Sequence, residues 1–381
     1  MQPDGDPAAT AHILQDRQRC SAGAPFVPLV RRDFRVRRLG TIMAPRDGDE
    51  RESLGVLNPA AARSRDGDLY LFPRLVAPRN YSRIGMARVT FDGRGNPSGV
   101  ERLKPALEPT ASYELNPSTG GGCEDARVTF IPALDQYVMS YTALSATGPL
   151  IALAVSQDLH CWKRLGPVRF HGPAGAALNR LNNKDGMFFP APVISPSGRI
   201  SLAFMHRPMS PLGKHTVAED IWLSYCPLDR VDAGLSHLLD LEEHHLLLRP
   251  RQRWEMVKLG GGAPPILTSR GWLMIYHGVG LRRQSGGRSL RYCAGLAILD
   301  RRHPWRVLDR LSTALIEPEQ PAEREGTVAN VVFPTAIDQR TDLSRPERLE
   351  IYYGMADYRI GVATVRVPWL ARDTRAEEQA A

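Results

Sequence analysis

Charged and amide side chains stand at the ends of several apolar segments of the sequence, where strands would begin or end. Gathering such groups in one place is unfavourable unless they pair with each other or bind a ligand. Acids, cations and amides together suit a substrate with many hydroxyl groups that is held beside an anion. The residues concerned are Asn58, Arg74, Glu124, Asp125, Arg127, Lys184, Asp185, His206, Arg207, Tyr225, Lys258, Tyr276, His277, Asn330 and Asp357.

A repeated pattern explains how these groups would meet. Five times the chain shows an apolar strand, a turn, a second strand with a polar or aromatic end, and a strand rich in Ala and β-branched residues. The second strands end at Arg74, Tyr141, Arg207, His277 and Gly354, at intervals of 67, 66, 70 and 77 residues. This period predicts an all-β fold, a five-bladed β-propeller whose first strands line a central channel. A β-sandwich with accidental regularity is the alternative.

Helices are expected to be few. The 33 Gly and 31 Pro residues disfavour long helices, and the best helical candidate is an insertion over Asp229–Leu248 with leucines at 235, 238, 239 and 241. Residues 1–45 lack sustained periodicity and are predicted to form a short, partly irregular N-terminal extension. Residues 46–370 are predicted to form a single propeller domain, and residues 371–381 a flexible tail.

Composition narrows the class of protein. The chain has 49 Lys and Arg against 41 Asp and Glu, a formal charge of +8, but its basic residues are scattered. The densest run, Arg31–Arg38, is interpreted as a solvated or locally packed segment, so we expect no nucleic-acid partner. The five cysteines share no CxxC spacing, and no signal peptide or long apolar run is found. These features predict a cytoplasmic protein that does not enter a membrane.

Several motifs resemble glycoside hydrolase family 130, the inverting β-mannoside phosphorylases and related β-mannosidases. They occur in family order between about residues 55 and 366, and the family fold is a five-bladed β-propeller. The motifs are Gly122-Cys123-Glu124-Asp125-Ala126-Arg127-Val128, Asn183-Lys184-Asp185 with Phe189-Pro190, His206-Arg207-Pro208, Lys258-Leu259-Gly260-Gly261-Gly262, Tyr276-His277-Gly278-Val279, Asn330-Val331-Val332-Phe333-Pro334 and Tyr352-Tyr353-Gly354-Met355-Ala356-Asp357.

The resemblance implies a catalytic role for Asp125 as the general acid, whose proton reaches the glycosidic oxygen through a sugar hydroxyl. Asp357 would bind the mannose that is transferred, with Asn58 and Arg74 nearby. Ala126 stands where the family usually has Pro, a change that removes no functional group. The remaining residues that we expect to bind substrate are Arg127, Asp185, Lys258 and His277.

The resemblance leaves two reactions open. An inverting hydrolase needs a second carboxylate as base, whereas phosphate is already an anionic nucleophile that needs only cations to hold it. The donors that the family's phosphorylases use for phosphate are all retained, which favours phosphorolysis. Glu255, Glu317 or Glu325 could still serve a hydrolase as base. The four retained donors are Lys184, His206, Arg207 and Tyr225.

Other interpretations stay open beside these. Asp125 and Arg127 could form a structural ion pair, and the glycines after Lys258 could simply make a tight turn. Trp254 is the best candidate for stacking on a sugar. A propeller that binds glycans without catalysis is an alternative of another class. We expect no metal and no organic cofactor. Inorganic phosphate is the expected co-substrate and a small carbohydrate the expected partner. Whether the chain forms a homo-oligomer is left open.

Overall fold

The computed structural model describes residues 28–116, 120–209, 219–284, 287–343, 345, 347–367 and 369–370. Within them, nearly all of the regular structure is β-strand, as the sequence predicts. The helices are short, namely α1 (Gly172–Leu178), α2 (Leu228–Asp232), α3 (Pro321–Arg324) and a few single 3₁₀ turns. In this part of the chain no helix has the length and hydropathy required to span a bilayer.

The strands follow one another in largely antiparallel groups that match the order of the sequence units. Strand β1 (Arg35–Met43) precedes the first group. That group contains β2 (Gly55–Arg63), β3 (Leu69–Ala77), β4 (Tyr81–Ile84), β5 (Ala87–Phe91) and β6 (Pro97–Arg102). The second contains β7 (Gly122–Ile131), β8 (Gln136–Ser145), β9 (Gly148–Ser156) and β10 (Lys163–Pro167). One parallel pair, Ser82 with Gly122, joins these two groups into a single sheet.

The other three groups continue this order. The third contains β11 (Arg169–Phe170), β12 (Asn183–Phe188), β13 (Val193–Ile194), β14 (Ile200–Pro208), β15 (Ile221–Pro227) and β16 (Asp240–Leu248). The fourth contains β17 (Lys258–Gly261), β18 (Ile266–Thr268), β19 (Gly271–Gln284), β20 (Gly287–Leu299) and β21 (Val307–Arg310). The fifth contains β22 (Val332–Gln339), β23 (Arg348–Met355) and β24 (Arg359–Arg366).

Apolar clusters lie between consecutive groups and form the core. Phe72 and Met139 belong to the cluster between groups one and two, and Leu153 and Phe204 to the next. Met205 with Met274, and Ile275 with Ile351, represent the two clusters that follow. Leu71 of the first group packs with Tyr352 of the fifth. Every group is therefore packed against the next, and the last against the first.

The N-terminal segment differs from the prediction. Arg35–Met43, expected within a short, partly irregular extension, is the edge strand β1 and pairs antiparallel with β24. Ile42 and Met43 are buried between the first and fifth groups. These residues therefore form a regular part of the segment that was expected to be partly irregular, and they extend the sheet of the fifth group. Residues 1–27 and the predicted tail 371–381 lie outside the described residues.

The predicted helix over Asp229–Leu248 is also wrong over most of its length. Only α2 is an α-helix; a 3₁₀ turn covers Leu235–Leu239, and Asp240–Leu248 forms β16, which pairs with β15. Leu238, Leu239 and Leu241 are all buried against the second group. A short leucine-rich run satisfies helical and extended burial equally well, and tertiary packing decides between them.

Phe34→Ala is expected to lower the free energy of unfolding by about 3–5 kcal/mol, because it leaves a cavity in the core. Phe34 is buried between the fourth and fifth groups and meets Trp369 edge to face, with ring centroids 5.3 Å apart. Chemical denaturation measures the change. The exposed neighbour Arg35 provides the control, since Arg35→Ala should change stability by less than about 0.5 kcal/mol. Equal effects of both substitutions would contradict the packing of this segment.

Candidate active site

The first strands of three groups share a local distortion at their polar residue. Asn58, Asp125 and Asp185 have φ angles of 46°, 47° and 57°, in the left-handed region. The pairing register shifts at each of them, so each is part of a bulge in β2, β7 or β12. Asn and Asp tolerate this conformation better than most residues, and a bulge re-aims a side chain out of the strand alternation. Asn330 and Asp357 also have φ angles of 62° and 48°.

These bulges bring Asn58 and Asp125 together. Asn58 Nδ2 donates to Asp125 Oδ1 over 2.9 Å, and Arg74 lies 3.6 Å from the same oxygen. Both polar side chains are almost fully buried. Gly354 makes the arrangement sterically allowed, because a Cβ at this position would collide with Asn58 Oδ1. The expected general acid therefore sits beside the two residues that the resemblance assigns to the same sugar.

Glu124 connects this group to the expected phosphate ligands. Its carboxylate accepts from Arg74 over 2.6 Å and from Lys184 over 3.1 Å. Burial by itself would raise the pKa of Glu124, but the charges of Arg74 and Lys184 outweigh it and hold the pKa below its ordinary value. Glu124 is thus an ionised bridge between two cations.

A second ion-pair group surrounds Asp185. Arg207 donates to the Asp185 carboxylate over 2.6 Å. A guanidinium nitrogen of Arg127 and Nε2 of His277 each lie 3.9 Å from a carboxylate oxygen of Asp185. Burial opposes ionisation, but Arg207, His277 and Arg127 lower the pKa of Asp185 well below its usual range. Arg207 also pairs with Glu219. Lys184 and Arg207, from neighbouring strands β12 and β14, therefore present two cations at one place.

Arg127 has a structural role that the sequence did not suggest. Its guanidinium donates to the carbonyl oxygens of Asp125 (2.9 Å), Gly261 (3.3 Å) and Gly262, and the side chain is fully buried. The alternative of a structural pair with the Asp125 carboxylate is not observed. The prediction that Arg127 binds substrate is wrong for this geometry, because its donors hold β7 to the glycine-rich strand β17.

His277 has open hydrogen-bonding capacity on both of its ring nitrogens. The side chain is buried, and neither ring nitrogen has a hydrogen-bond partner among the described residues. Its ring packs against Phe333, with centroids 4.3 Å apart. A Cβ on Gly260 would collide with both His277 and Asp185, so the glycine permits this approach. Burial lowers the pKa of His277 to about 3, which makes the imidazole neutral at physiological pH.

Lys258 and Asp357 complete the cluster. The Lys258 ammonium lies 5.6 Å from the ring centroid of Tyr292, and burial together with Arg207 lowers its pKa. Burial and the negative charge of Asp125 raise the pKa of Asp357 to about 6, although Arg74 acts in the opposite direction. Asp357 therefore keeps its proton to a higher pH than an ordinary carboxyl does.

His206 does not join the cluster. Its ring nitrogens are within hydrogen-bond distance of the Asn183 side chain (3.0 Å) and Ser224 Oγ (2.8 Å), and it is fully buried against Phe170 and Phe204. Because successive side chains of a strand point to opposite faces, His206 lies on the opposite face of β14 from Arg207. Burial lowers the pKa of His206 to about 3. The expected contact with phosphate is wrong for this geometry, and the side chain supports the segment before Lys184 instead.

Tyr225 is also separate from the cations. It pairs with Ala203, four residues before Arg207 on β14, which places it about 13 Å along the strand. The Tyr225 ring is buried in the core between groups three and four, and its centroid lies 6.2 Å from the ring centroid of Trp305. Burial raises the pKa of Tyr225. The prediction that it binds phosphate is therefore wrong for this geometry.

The three glutamates considered as a hydrolytic base are placed elsewhere. Glu255 accepts from the backbone of Arg251 and Gln252 and from the hydroxyl of Tyr276, so it caps a buried turn. Glu317 pairs with Arg291, and Glu325 is exposed.

Trp254, considered for sugar stacking, packs instead against Tyr276, with ring centroids 5.8 Å apart. It fills space that Gly278 and Gly295 leave open, because a Cβ on either would collide with it. Its indole is engaged in the fourth group, and the sugar-stacking prediction is not supported by these contacts.

Two residues of the cluster, Glu219 and Tyr292, are missing from the candidates of the sequence analysis. Glu124 is among those candidates, but the resemblance assigns it no role. Glu219 pairs as an isolated bridge with Lys258, and no repeated pattern marks it. Tyr292 is brought to Lys258 only by the pairing of β19 with β20. In the part of the chain that the structure describes, no cluster of His, Cys, Asp and Glu is arranged to hold a metal ion.

The fold and site define an all-β protein with acid, amide and cationic groups gathered at one end of its first strands. The family of β-1,4-mannooligosaccharide phosphorylases, glycoside hydrolase family 130, matches residues 28–371. The chain belongs to this family, which confirms the resemblance seen in the sequence and makes it a glycoside phosphorylase by family.

Individual relatives agree with this assignment. A β-1,2-mannobiose phosphorylase from Listeria innocua is 32% identical over 67% of this chain and 59% of its own length. A 1,2-β-oligomannan phosphorylase from a Thermoanaerobacter species is 29% identical over 86% of this chain and 95% of its own. The solved Listeria innocua β-1,2-mannobiose phosphorylase shares the fold, with a TM-score of 0.67, 23% identity, and coverage of 90% and 99% of the two chains.

Asp357→Asn is expected to raise the free energy of unfolding at pH 7 by about 1–2 kcal/mol. With a pKa of about 6, the folded chain still holds a proton near pH 5 that the unfolded chain has already released. Raising the pH through 6 therefore ionises a buried carboxyl beside Asp125 and destabilises the wild type.

Urea denaturation between pH 4 and pH 8 measures this effect. The gain should shrink steadily towards pH 4, because the folded carboxyl is then protonated and the unfolded one, with its ordinary pKa of 3.8, is becoming protonated too. The exposed Asp66 provides the control, and Asp66→Asn should show no such trend. A difference between Asp357→Asn and wild type that is constant over this range would contradict the raised pKa.

Proposed function

We propose that this enzyme catalyses inverting phosphorolysis of a β-mannoside, giving α-mannose 1-phosphate and a shortened acceptor sugar. One observation carries the proposal: Asp125, with its sugar-side partners Asn58 and Arg74, is connected through Glu124 to Lys184 beside Arg207. An acid therefore lies near a pair of cations suited to an anionic nucleophile. The family membership and the phosphorylase relatives support the same reaction.

In the proposed reaction the cations of the cluster bind the nucleophile, phosphate, and Asp125 supplies the proton for the leaving group. A phosphate oxygen attacks the anomeric carbon with its lone pair while the bond from that carbon to the glycosidic oxygen breaks. The leaving oxygen keeps the bond's electron pair and takes a proton that originates on Asp125, relayed by a hydroxyl of the sugar as the family implies. Attack from the side opposite the leaving group inverts β to α.

Lys184 and Arg207 hold the phosphate in line for this attack, and Lys258 adds a third charge. His277 offers an N–H group that no described residue uses. Asn58, Arg74 and Asp357 bind the mannose. Asp185 serves mainly to orient Arg207, because the two form a buried pair. Phosphate, a co-substrate, supplies the nucleophile, and we propose that no metal or organic cofactor takes part.

The geometry supports phosphate over water as nucleophile. A hydrolase of this type needs a second carboxylate that can accept a proton from water. Glu124 is held by Arg74 and Lys184, and Asp185 by Arg207. Glu255 is committed to a cap and to Tyr276. Hydrolysis by the same site stays the alternative reaction, and glycan binding without catalysis the alternative of another class.

We also propose that the five strand groups form a five-bladed propeller. Its support is the closed sequence of apolar clusters, which links each group to the next and the fifth to the first. Among the described residues the four cysteines, Cys123, Cys161, Cys226 and Cys293, form no disulfide with one another, and we propose a reducing, cytoplasmic location. Small carbohydrates and phosphate would be its partners, without nucleic acid or membrane.

The decisive assay incubates the purified protein with β-1,2- and β-1,4-linked mannobiose, with and without phosphate. We expect α-mannose 1-phosphate only when phosphate is present. Asp125→Asn should lower kcat by at least about 100-fold, because it removes the acid. Release of free mannose at equal rates with and without phosphate would establish the hydrolase. Unchanged glycan binding by Asp125→Asn, with no turnover by either protein, would favour the binding module.

Mutation distinguishes an expected phosphate ligand that lies in the cluster, Lys184, from one that lies outside it, Tyr225. Lys184→Met should raise the KM for phosphate about 10- to 100-fold, the loss expected for one charge-assisted hydrogen bond. Tyr225→Phe should leave this KM unchanged, because its hydroxyl is buried away from the cations. Initial rates at varied phosphate and saturating mannoside measure both effects. An equal rise for Tyr225→Phe would contradict the observed position of Tyr225.

A further inference from the structure

The hairpin of β19 and β20 is longer than the sheet that contains it. Lys258, the first residue of β17, pairs with Val279, but β19 continues to Gln284 and β20 begins at Gly287. The extra residues remain paired with each other, from Gly280 with Arg291 to Gln284 with Gly287. We name residues 280–284 and 287–291 the arm. At about 3.3 Å per residue, the arm extends about 16 Å past the end of the sheet where Lys258 lies.

One face of the arm is continuous with the site. Directly opposed residues of an antiparallel pair share a face, and every second residue along a strand does so too. His277 and Tyr292 lie on one such face and contact Asp185 and Lys258 of the site. Further out on this face, Leu281 and Leu290 are directly opposed to each other. The two leucines therefore follow the site residues along the same surface.

The other face of the hairpin is already occupied. Gly278 and Gly280 lie on it, and a Cβ on either would collide with the segment that carries Trp254. Arg291, opposite Gly280, pairs with Glu317. Close to the sheet this side is therefore packed and ion-paired, and among the described residues the face with the leucines is the one that stays open to a ligand beside the site.

Leu281 and Leu290 are large apolar residues with exposed side chains, and their relative solvent-accessible surfaces are 54% and 42%. A joined apolar patch at the edge of a polar site marks a binding surface more often than a chance exposure. A pyranose ring has apolar C–H faces that such a patch can cover, and the neighbouring exposed Arg288 offers donors to hydroxyl groups. Two leucines are too small a patch for a stable dimer, which buries about 800 Å² per partner.

We propose that the leucine face of the arm binds sugar units of the acceptor beyond the unit that receives the mannosyl group. The inference rests on the proposed function and specifies its substrate class. The enzyme then prefers manno-oligosaccharides over a single sugar as acceptor, because only longer acceptors reach Leu281 and Leu290.

The test is synthesis from α-mannose 1-phosphate with mannose, mannobiose or mannotriose as acceptor, in β-1,2- and β-1,4-linked series. Leu281→Ser combined with Leu290→Ser should raise the KM for mannotriose about tenfold, with kcat and the KM for mannose unchanged. Both leucines are exposed, so the fold should tolerate the change. Arg282→Ser, on the opposite face of the arm, is the matched control and should alter neither KM.

Three results would overturn the proposal. One is an equal change for mannose and mannotriose, and another is the same change in Arg282→Ser. The third is a fall in molar mass by light scattering in the double variant, which would make the arm a contact between copies of the chain. If the wild type forms no product with any acceptor, the proposed function itself fails and the acceptor proposal fails with it.

Discussion

The site depends on one backbone constraint, a left-handed residue within the bulges of three first strands. An unbroken strand would alternate its side chains between two faces, and the polar groups would be buried between the sheets. At Asn58, Asp125 and Asp185 the register shifts and φ turns positive, so each side chain leaves this alternation. Such conformations are unfavourable on their own and persist only where surrounding structure imposes them. Here Gly354, Gly260 and the carbonyl-bound Arg127 supply that support.

Buried charge in the cluster is tolerated because almost every acid has a cation against it. Glu124 lies between Arg74 and Lys184, and Asp185 is held by Arg207. Such pairs stabilise a fold little, since desolvation offsets most of their attraction. Their value lies in presenting cations in fixed positions before a ligand arrives, which reduces reorganisation during the reaction. Asp357 is the exception, because burial and the negative charge of Asp125 raise its pKa despite the opposing charges of Arg74, Lys258 and Lys184.

The sequence located much of the site because its polar residues occur at the same point of a repeated unit. That regularity, with the family motifs, predicts Asp125, Asn58, Arg74, Lys184 and Arg207 as site residues, and the structure places them in one connected cluster. It was wrong for His206 and Tyr225, because a motif does not state which face of a strand a side chain occupies. It also assigned Asp229–Leu248 to a helix, where burial against the second strand group instead imposes β16.

The sequence by itself determined the all-β class and the family, because periodicity and local motifs encode them. Only the tertiary structure decided which cations face Asp125, that Arg127 serves the backbone, and that β19 and β20 extend past the site. These facts depend on contacts between residues far apart in the chain, such as Arg127 with Gly262 and Lys184 with Glu124. Local sequence patterns carry no information about such pairs, because packing between strand groups sets them.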